Sequence, residues 1–291
     1  MSITVRPSLL ALAAEPFTRP LKQAIAKEVV AIFNDSSRGD APVVRSADAL
    51  FDPKSVVWRV HGDVTTMMVG GIAALLLQML HPAVLAGVWD HSNFRADMLG
   101  RLRRTARFIS VTTYAGRHEA EAIIAHVRAI HEHVRGTLPD GTPYSAGDPK
   151  LLAWVHATET MSFLDAWIRY GEPRMTQADQ DRYFAEMARL AEAMGASPVP
   201  ASRAGMIRFI THMRRELRAD ARTREVSAMI LGRHPDKRST DPLQAIGFQA
   251  AIDLLPPWAR RMHGLSGSGL TRPLVQAGTF GIAQTLRWAF R

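Results

Sequence analysis

Apolar positions recur at three- and four-residue intervals through most of the chain, the period of helices that bury one face. The pattern predicts helices from about Leu21 to Phe33, Val64 to Leu80, Ala83 to Trp89, Met98 to Thr113, His118 to Arg135, Pro149 to Tyr170 and Gln177 to Met194, with three or four more beyond. A loose period-two alternation occurs only around Ser55 to Val60, so the expected class is all-α with at most a marginal hairpin. Local chemistry supports several boundaries. Asp148 before Pro149 reads as an N-cap followed by proline in the first turn. Thr176 with Asp179 reads as a helix entry, and Gly195 as a helix stop. Gly136 to Asp148, rich in Gly, Pro and Asp, reads as a surface connector. No repeat, low-complexity tract or long linker interrupts the pattern, and a single compact domain over residues 1–291 is expected.

With 291 residues and 47% apolar content, the chain can bury a sizeable core. It has no cysteine, which excludes disulfides, thiolate metal sites and cysteine nucleophiles and accords with a reducing compartment. The formal charge of +9 calls for a look at where the cations lie. Ten Lys or Arg face four acids between Arg203 and Arg238, most densely at Arg214, Arg215, Arg218, Arg222 and Arg224. No basic-aromatic interleaving or reading motif accompanies them, so a solvated basic face is expected and a nucleic-acid partner is not. Leu9 to Ala14 is too short an apolar run for a secretory signal, and a cytoplasmic location is the expectation. Val69 to Trp89 is apolar enough to raise a membrane span, but Gln78, His81 and Pro82 interrupt it. Two buried helices parted at Pro82, with no stable span, are expected instead.

The candidate chemistry lies on two successive helices. His131 flanks the apolar positions Ile123, Val127, Ile130 and Val134, so it faces inward or nearly so. Arg128 and Arg135, three residues before it and four after, are expected beside it on one surface. Two guanidinium groups there would repel a protonated imidazole and favour the neutral, metal-binding form. On the preceding helix Arg101, Arg104 or Thr105, and Phe108 recur at helical spacing, with Leu102, Ala106 and Ile109 on the neighbouring stripe. A buried arginine needs an anion. Either carboxylates supply it or a ligand does: porphyrin propionates, a substrate carboxylate or bound dioxygen. His156 reads as a core or supporting histidine bonded to a backbone carbonyl or to Glu159, and His81 and His91 as groups bonding free backbone at helix ends, with Asp90 able to orient His91.

Other chemistries lack their motifs. Glu-x-x-His, which bundles use to hold two irons, does not occur, nor do His-Glu-x-x-His, a phosphate loop, a dinucleotide fingerprint or Gly-x-Ser-x-Gly.

Six stretches resemble the MpaB and rubber-oxygenase (latex-clearing protein) catalytic-domain family: His81-Pro-Ala-Val, Asp90-His-Ser, Arg101-Leu-Arg-Arg-Thr105, Ile130-His-Glu-His-Val-Arg-Gly136, Tyr144-Ser-Ala-Gly-Asp-Pro149 and Trp154-Val-His156. They lie between about Val60 and Gly195, nearly half the chain. The resemblance implies an all-α fold with a buried haem-sized pocket, and haem b held by one histidine for dioxygen-dependent cleavage of a carbon–carbon double bond. By position, His131 matches the iron ligand, Arg128 and Arg135 its flanking arginines, and Arg101 and Thr105 the Arg and Thr of the distal side. Arg104 stands where rubber oxygenases carry a lysine that can cap the iron, a role a guanidinium does not share.

The expected function is therefore that of a haem-b-dependent oxygenase acting on a hydrophobic, unsaturated small molecule and dioxygen. Arg101, Arg104 and Thr105 would be catalytic, and His131, Arg128, Arg135 and His156 would hold the cofactor. Two other readings of the same residues are a haem carrier without turnover, which needs His131 alone, and a metal-free helical interaction protein using the Arg214 to Arg224 face.

Overall fold

In the computed structural model, residues 19–20, 22–24, 41–234, 237–238 and 242–289 are described, and they are helical almost throughout. The helix expected from Leu21 to Phe33 lies largely outside them. Ser55 accepts a hydrogen bond from the Trp58 amide at 3.2 Å and starts α1 (Val56–His61). The alternation around Ser55 to Val60 is thus one turn and a half of helix, and no strand forms there. Val56, Val57 and Val60 are all buried, and in so short a window a helix packed on two sides imitates a strand.

Asp63 caps α2 (Val64–Gln78), a helix apolar around its whole circumference and correspondingly buried. His81 caps α3 (Pro82–His91), with Pro82 in its first turn. The two helices meet at 103°, so the apolar run expected to part at Pro82 is a sharp corner. Among the described residues no single helix is long and apolar enough to cross a membrane, although this bent pair passes by composition. Next come α4 (Met98–Tyr114) and α5 (Arg117–His133), which pack against each other.

The connector then forms a hairpin. β1 (Arg135–Thr137) pairs antiparallel with β2 (Pro143–Ser145), Gly136 opposite Tyr144. A Cβ on Gly136 would lie 2.7 Å from the Tyr144 hydroxyl, so glycine is what lets the strands close. Beyond it run α6 (Pro149–Tyr170), α7 (Gln177–Met194) and α8 (Arg203–Met213). The expected signals operate here: Asp148 accepts from the Lys150 and Leu151 amides, Thr176 accepts from the Asp179 amide, and Gly195 takes a left-handed conformation at φ 92°. The chain ends through α9 (Ala221–Ile230), a small ribbon of β3 (Arg233–His234) and β4 (Lys237–Arg238), then α10 (Pro242–Leu254), α11 (Pro257–His263) and α12 (Arg272–Ala289).

The closest helix pair is α2 with α6. A Cβ on Gly70 would stand 2.8 Å from the Ser162 carbonyl oxygen and 2.9 Å from the Phe163 Cα, so the two backbones touch at that point. One apolar cluster joins Phe51, the valines of α1, Leu76, Leu80, Trp154, Phe163, Tyr183, Met206 and, from the C-terminal helices, Ile252 and Ala259.

Candidate functional site

Where α2 and α4 separate, a cavity of about 660 Å³ opens, floored by Glu159 and Phe163 of α6 and bordered by Leu286 and Arg287 of α12. That volume is ordinary for a small-molecule site, which runs about 300–1,000 Å³. Met67, Gly71, Ile72 and Leu75 form one wall and Leu102, Ala106 and Ile109 the other. The half-exposed Met68 and Leu99 also line it.

Thr105 and Ser110 join this lining, and the α4 surface facing the cavity is the Leu102, Ala106 and Ile109 stripe. Arg101 and Arg104 lie off it. Arg104 is exposed and 3.6 Å from Asp97, a carboxylate partner of the ordinary kind. Arg101 is different. Its guanidinium is largely removed from solvent, and among the described residues it meets no carboxylate and donates no side-chain hydrogen bond. Burial and then repulsion from Arg104 lower its pKa. No described residue supplies the anion that such a position calls for.

On α5 the buried positions are Ala120 and Ile124, and the inward stripe continues through half-buried Val127 to half-buried His131, while Ile130 is 48% exposed. The expected apolar stripe is therefore rotated by about one position, and His131 stands on its inner edge. Its Nδ1 is buried without a hydrogen-bond partner, and burial lowers its pKa. The ring is thus neutral at pH 7, the form that can offer a lone pair. Arg128 is exposed and donates to the Ala193 carbonyl at 3.3 Å, near the C-terminus of α7.

Arg135 corrects the sequence reading. It does not continue the helix of His131, because α5 ends at His133 with Val134 as its C-cap, and Arg135 begins β1, paired with Ser145. The helical offset of four residues therefore does not set its side chain beside the imidazole. Its carbonyl accepts from His91 Nε2 at 3.1 Å, and its side chain is exposed. Asp90, expected to orient His91, instead accepts from the Tyr144 hydroxyl at 2.7 Å. His81 caps its helix as expected, its Nδ1 accepting from the Ala83 amide at 3.3 Å.

His156 is buried, its Nε2 has no partner, and burial lowers its pKa to about 4. The expected bond to a carbonyl or to Glu159 is absent from that nitrogen. Glu159, one turn further along α6, reaches the cavity floor. Burial pushes its carboxyl up to about 7, and it has no hydrogen-bond or ionic partner among the described residues. Beside it runs a closed polar network: His61 bonds Thr113 Oγ1 at 2.9 Å through Nδ1 and the Tyr183 hydroxyl at 3.0 Å through Nε2. Burial lowers the His61 pKa to about 3, and burial, followed by the Glu159 and Glu186 carboxylates, holds the Tyr183 hydroxyl protonated. Asp63 accepts from Arg287 Nε at 2.6 Å at the cavity edge.

Sequence reasoning passed over Glu159, His61 and Arg287 as site residues. Glu159 left a signal, an acid within the mostly apolar stretch from Leu151 to Leu164, whereas His61 and Arg287 reach the cavity only through the tertiary fold. Among the described residues no three His, Asp or Glu side chains stand close enough to share a metal ion. The protein can offer single donors such as His131, so a metal held there would bring most of its coordination with it.

The sequence model of one protein family, described as ER-bound oxygenase mpaB/B'/rubber oxygenase, catalytic domain, matches residues 58–288. The match runs from α1 into α12 and so takes in every helix that lines the cavity. No curated protein and no solved structure shows detectable similarity to the chain.

Proposed function

Since the chain belongs to the mpaB and rubber-oxygenase catalytic-domain family, we propose that it is a haem-b-dependent oxygenase acting on a hydrophobic, unsaturated small molecule. The observation that carries this reading is Arg101, a largely buried guanidinium with no counter-ion among the described residues, one helix away from the neutral, unpartnered imidazole of His131. A buried cation and a free nitrogen on neighbouring helices suit a planar anionic metal chelate better than they suit a closed core.

In this reading His131 would hold the iron and Arg101 would pair with a haem propionate, while Thr105, whose hydroxyl donates to the Arg101 carbonyl at 3.2 Å, borders the substrate cavity beside it. Arg104 stays with Asp97, outside the cavity lining. Arg128 fastens α5 to the end of α7, which sets the tilt of the helix that bears His131. Bound haem would supply dioxygen activation. The apolar walls exclude water and position a double bond along the Thr105 side.

Haem titration of the purified protein tests the proposal. A Soret band should rise to one equivalent, and His131→Ala should abolish it while leaving the far-ultraviolet circular dichroism intact. Arg101→Ala and Thr105→Ala should retain the band and slow oxygen uptake with unsaturated lipids by about 10²-fold, the order expected on removing a preorganised polar donor. A protein that takes up no haem, or one in which His131→Ala binds it unchanged, sinks the reading.

A further inference from the structure

The cavity floor carries a polar demand that the protein does not meet. Glu159 opens onto an apolar chamber, and no described residue hydrogen-bonds or pairs with its carboxyl. Each other acid or histidine in the lining is engaged. Asp63 accepts from Arg287 at 2.6 Å and from the Thr66 amide at 2.9 Å, and His61 uses both ring nitrogens. Glu159 is half-buried and its carboxyl faces the chamber, so a ligand that takes the place of water there gains by bringing it a hydrogen-bond partner.

The cavity's charge selects among such ligands. Arg45, which lies over the Trp58 and Tyr114 rings, and Arg103, which is itself engaged, stand in the lining with Glu159, while Arg287 and Asp63 neutralise each other. A cationic head would cross that field, and an anionic head would meet a carboxyl. A neutral donor does neither. We propose that the cavity binds a chain-like apolar molecule bearing a primary hydroxyl, with the hydroxyl donating to Glu159 at the floor and the chain lying between the apolar walls of α2 and α4. The occupant is taken to be the substrate of the proposed oxygenase, and in that respect the inference rests on that reading. Binding itself needs neither His131 nor a cofactor.

Displacement of a fluorescent apolar probe from the purified protein, with and without added haem, measures this directly. Decan-1-ol should displace the probe about 10-fold more tightly than decyl methyl ether, which has the same chain and no donor; that ratio corresponds to one net hydrogen bond of about 1.4 kcal/mol. Glu159→Leu should bring the ratio to about one with the ether's affinity unchanged. Glu159→Gln, whose amide oxygen still accepts, should keep most of the preference, and both variants should melt cooperatively. His131→Ala should bind decan-1-ol as the parent does, so loss of haem binding there would count against the oxygenase reading alone. Equal affinity for alcohol and ether in the parent, a preference that survives Glu159→Leu, no displacement by either, or tighter binding of decylamine or decanoate than of decan-1-ol would each overturn the proposal.

Discussion

Glu159 and His156 sit one turn apart on α6 and respond to pH with opposite sign. Burial raises the Glu159 carboxyl from 4.5 to about 7, so the native state holds that proton more tightly than the unfolded chain does. The stability this gives is complete below about pH 4.5 and is lost as pH rises to about 7. Glu159→Gln should therefore gain on the parent across that window, by about 3 kcal/mol in all, and the gap should stay level above it. For His156 the native pKa falls from 6.5 to about 4, and its contribution is complete above pH 6.5 and lost as pH drops to about 4. The parent should accordingly lose stability relative to His156→Leu as acid is added. Urea unfolding at pH 4, 5.5, 7 and 8 checks both slopes, and parallel curves for parent and variant would refute the assignment. At this scale the sequence is legible in part. Glu159, the one acid between Trp154 and Leu164, is visible as an anomaly, but that it opens onto a cavity follows only from where α2 and α4 part. In the sequence Arg101 is open between a carboxylate and a ligand, and the three-dimensional arrangement brings it no carboxylate among the described residues.

Elements are most legible where their ends are decided locally. Asp148 with Pro149, Thr176 with Asp179, and Gly195 each satisfy backbone groups within a few residues, so their roles can be read from neighbours in the chain. Arg135 is the counter-example: its helical periodicity continues from His131, yet a strand eight residues further on captures it. The tightest element contact is equally invisible in one dimension. Gly70 and Gly71 in α2 look like a helix weakness, but at Gly70 the absent Cβ lets α2 lie on the α6 backbone at Ser162 and Phe163. Intrinsic propensity favours alanine there by about 1 kcal/mol. Contact geometry opposes it, because the neighbouring atoms are backbone and cannot swing away. Gly70→Ala should therefore destabilise the protein by about 1–3 kcal/mol and, by pushing Phe163, reshape the cavity floor. Gly71, whose added Cβ would meet only Phe163 Cε1 at 3.7 Å, should accept alanine without loss. Thermal unfolding of the two variants side by side decides the point, and equal melting temperatures would contradict it.

For the whole molecule, the C-terminal helix is a structural part of the cavity. Arg287 of α12 donates to Asp63 at 2.6 Å and to the Tyr170 carbonyl at 3.0 Å, linking the start of α2 and the end of α6 from more than a hundred residues away. The Asp63 side chain is 7% exposed and also caps α2, so its charge is held in place by one cation and one helix N-terminus. Elsewhere some of the basic excess is absorbed by stacking, Arg214 over Trp258 and Arg222 over Trp89, and Arg95 both lies over Trp89 and pairs with Glu225 at 3.0 Å. Arg287 is therefore a cation whose loss nothing nearby offsets. Arg287→Met keeps the aliphatic packing but strands a buried carboxylate, a change that costs about 3–5 kcal/mol. Asp63→Asn in the same chain removes the stranded charge while its amide oxygen can still cap α2, so the double variant should recover most of the loss. Hydrogen exchange should accelerate along α12 and the first turn of α2 in Arg287→Met, with α7 and α8 unaffected, because the broken link joins only α12, α2 and α6. Uniform acceleration, or a double variant no more stable than Arg287→Met, would show that α12 is held by its apolar contacts and that the ion pair contributes little.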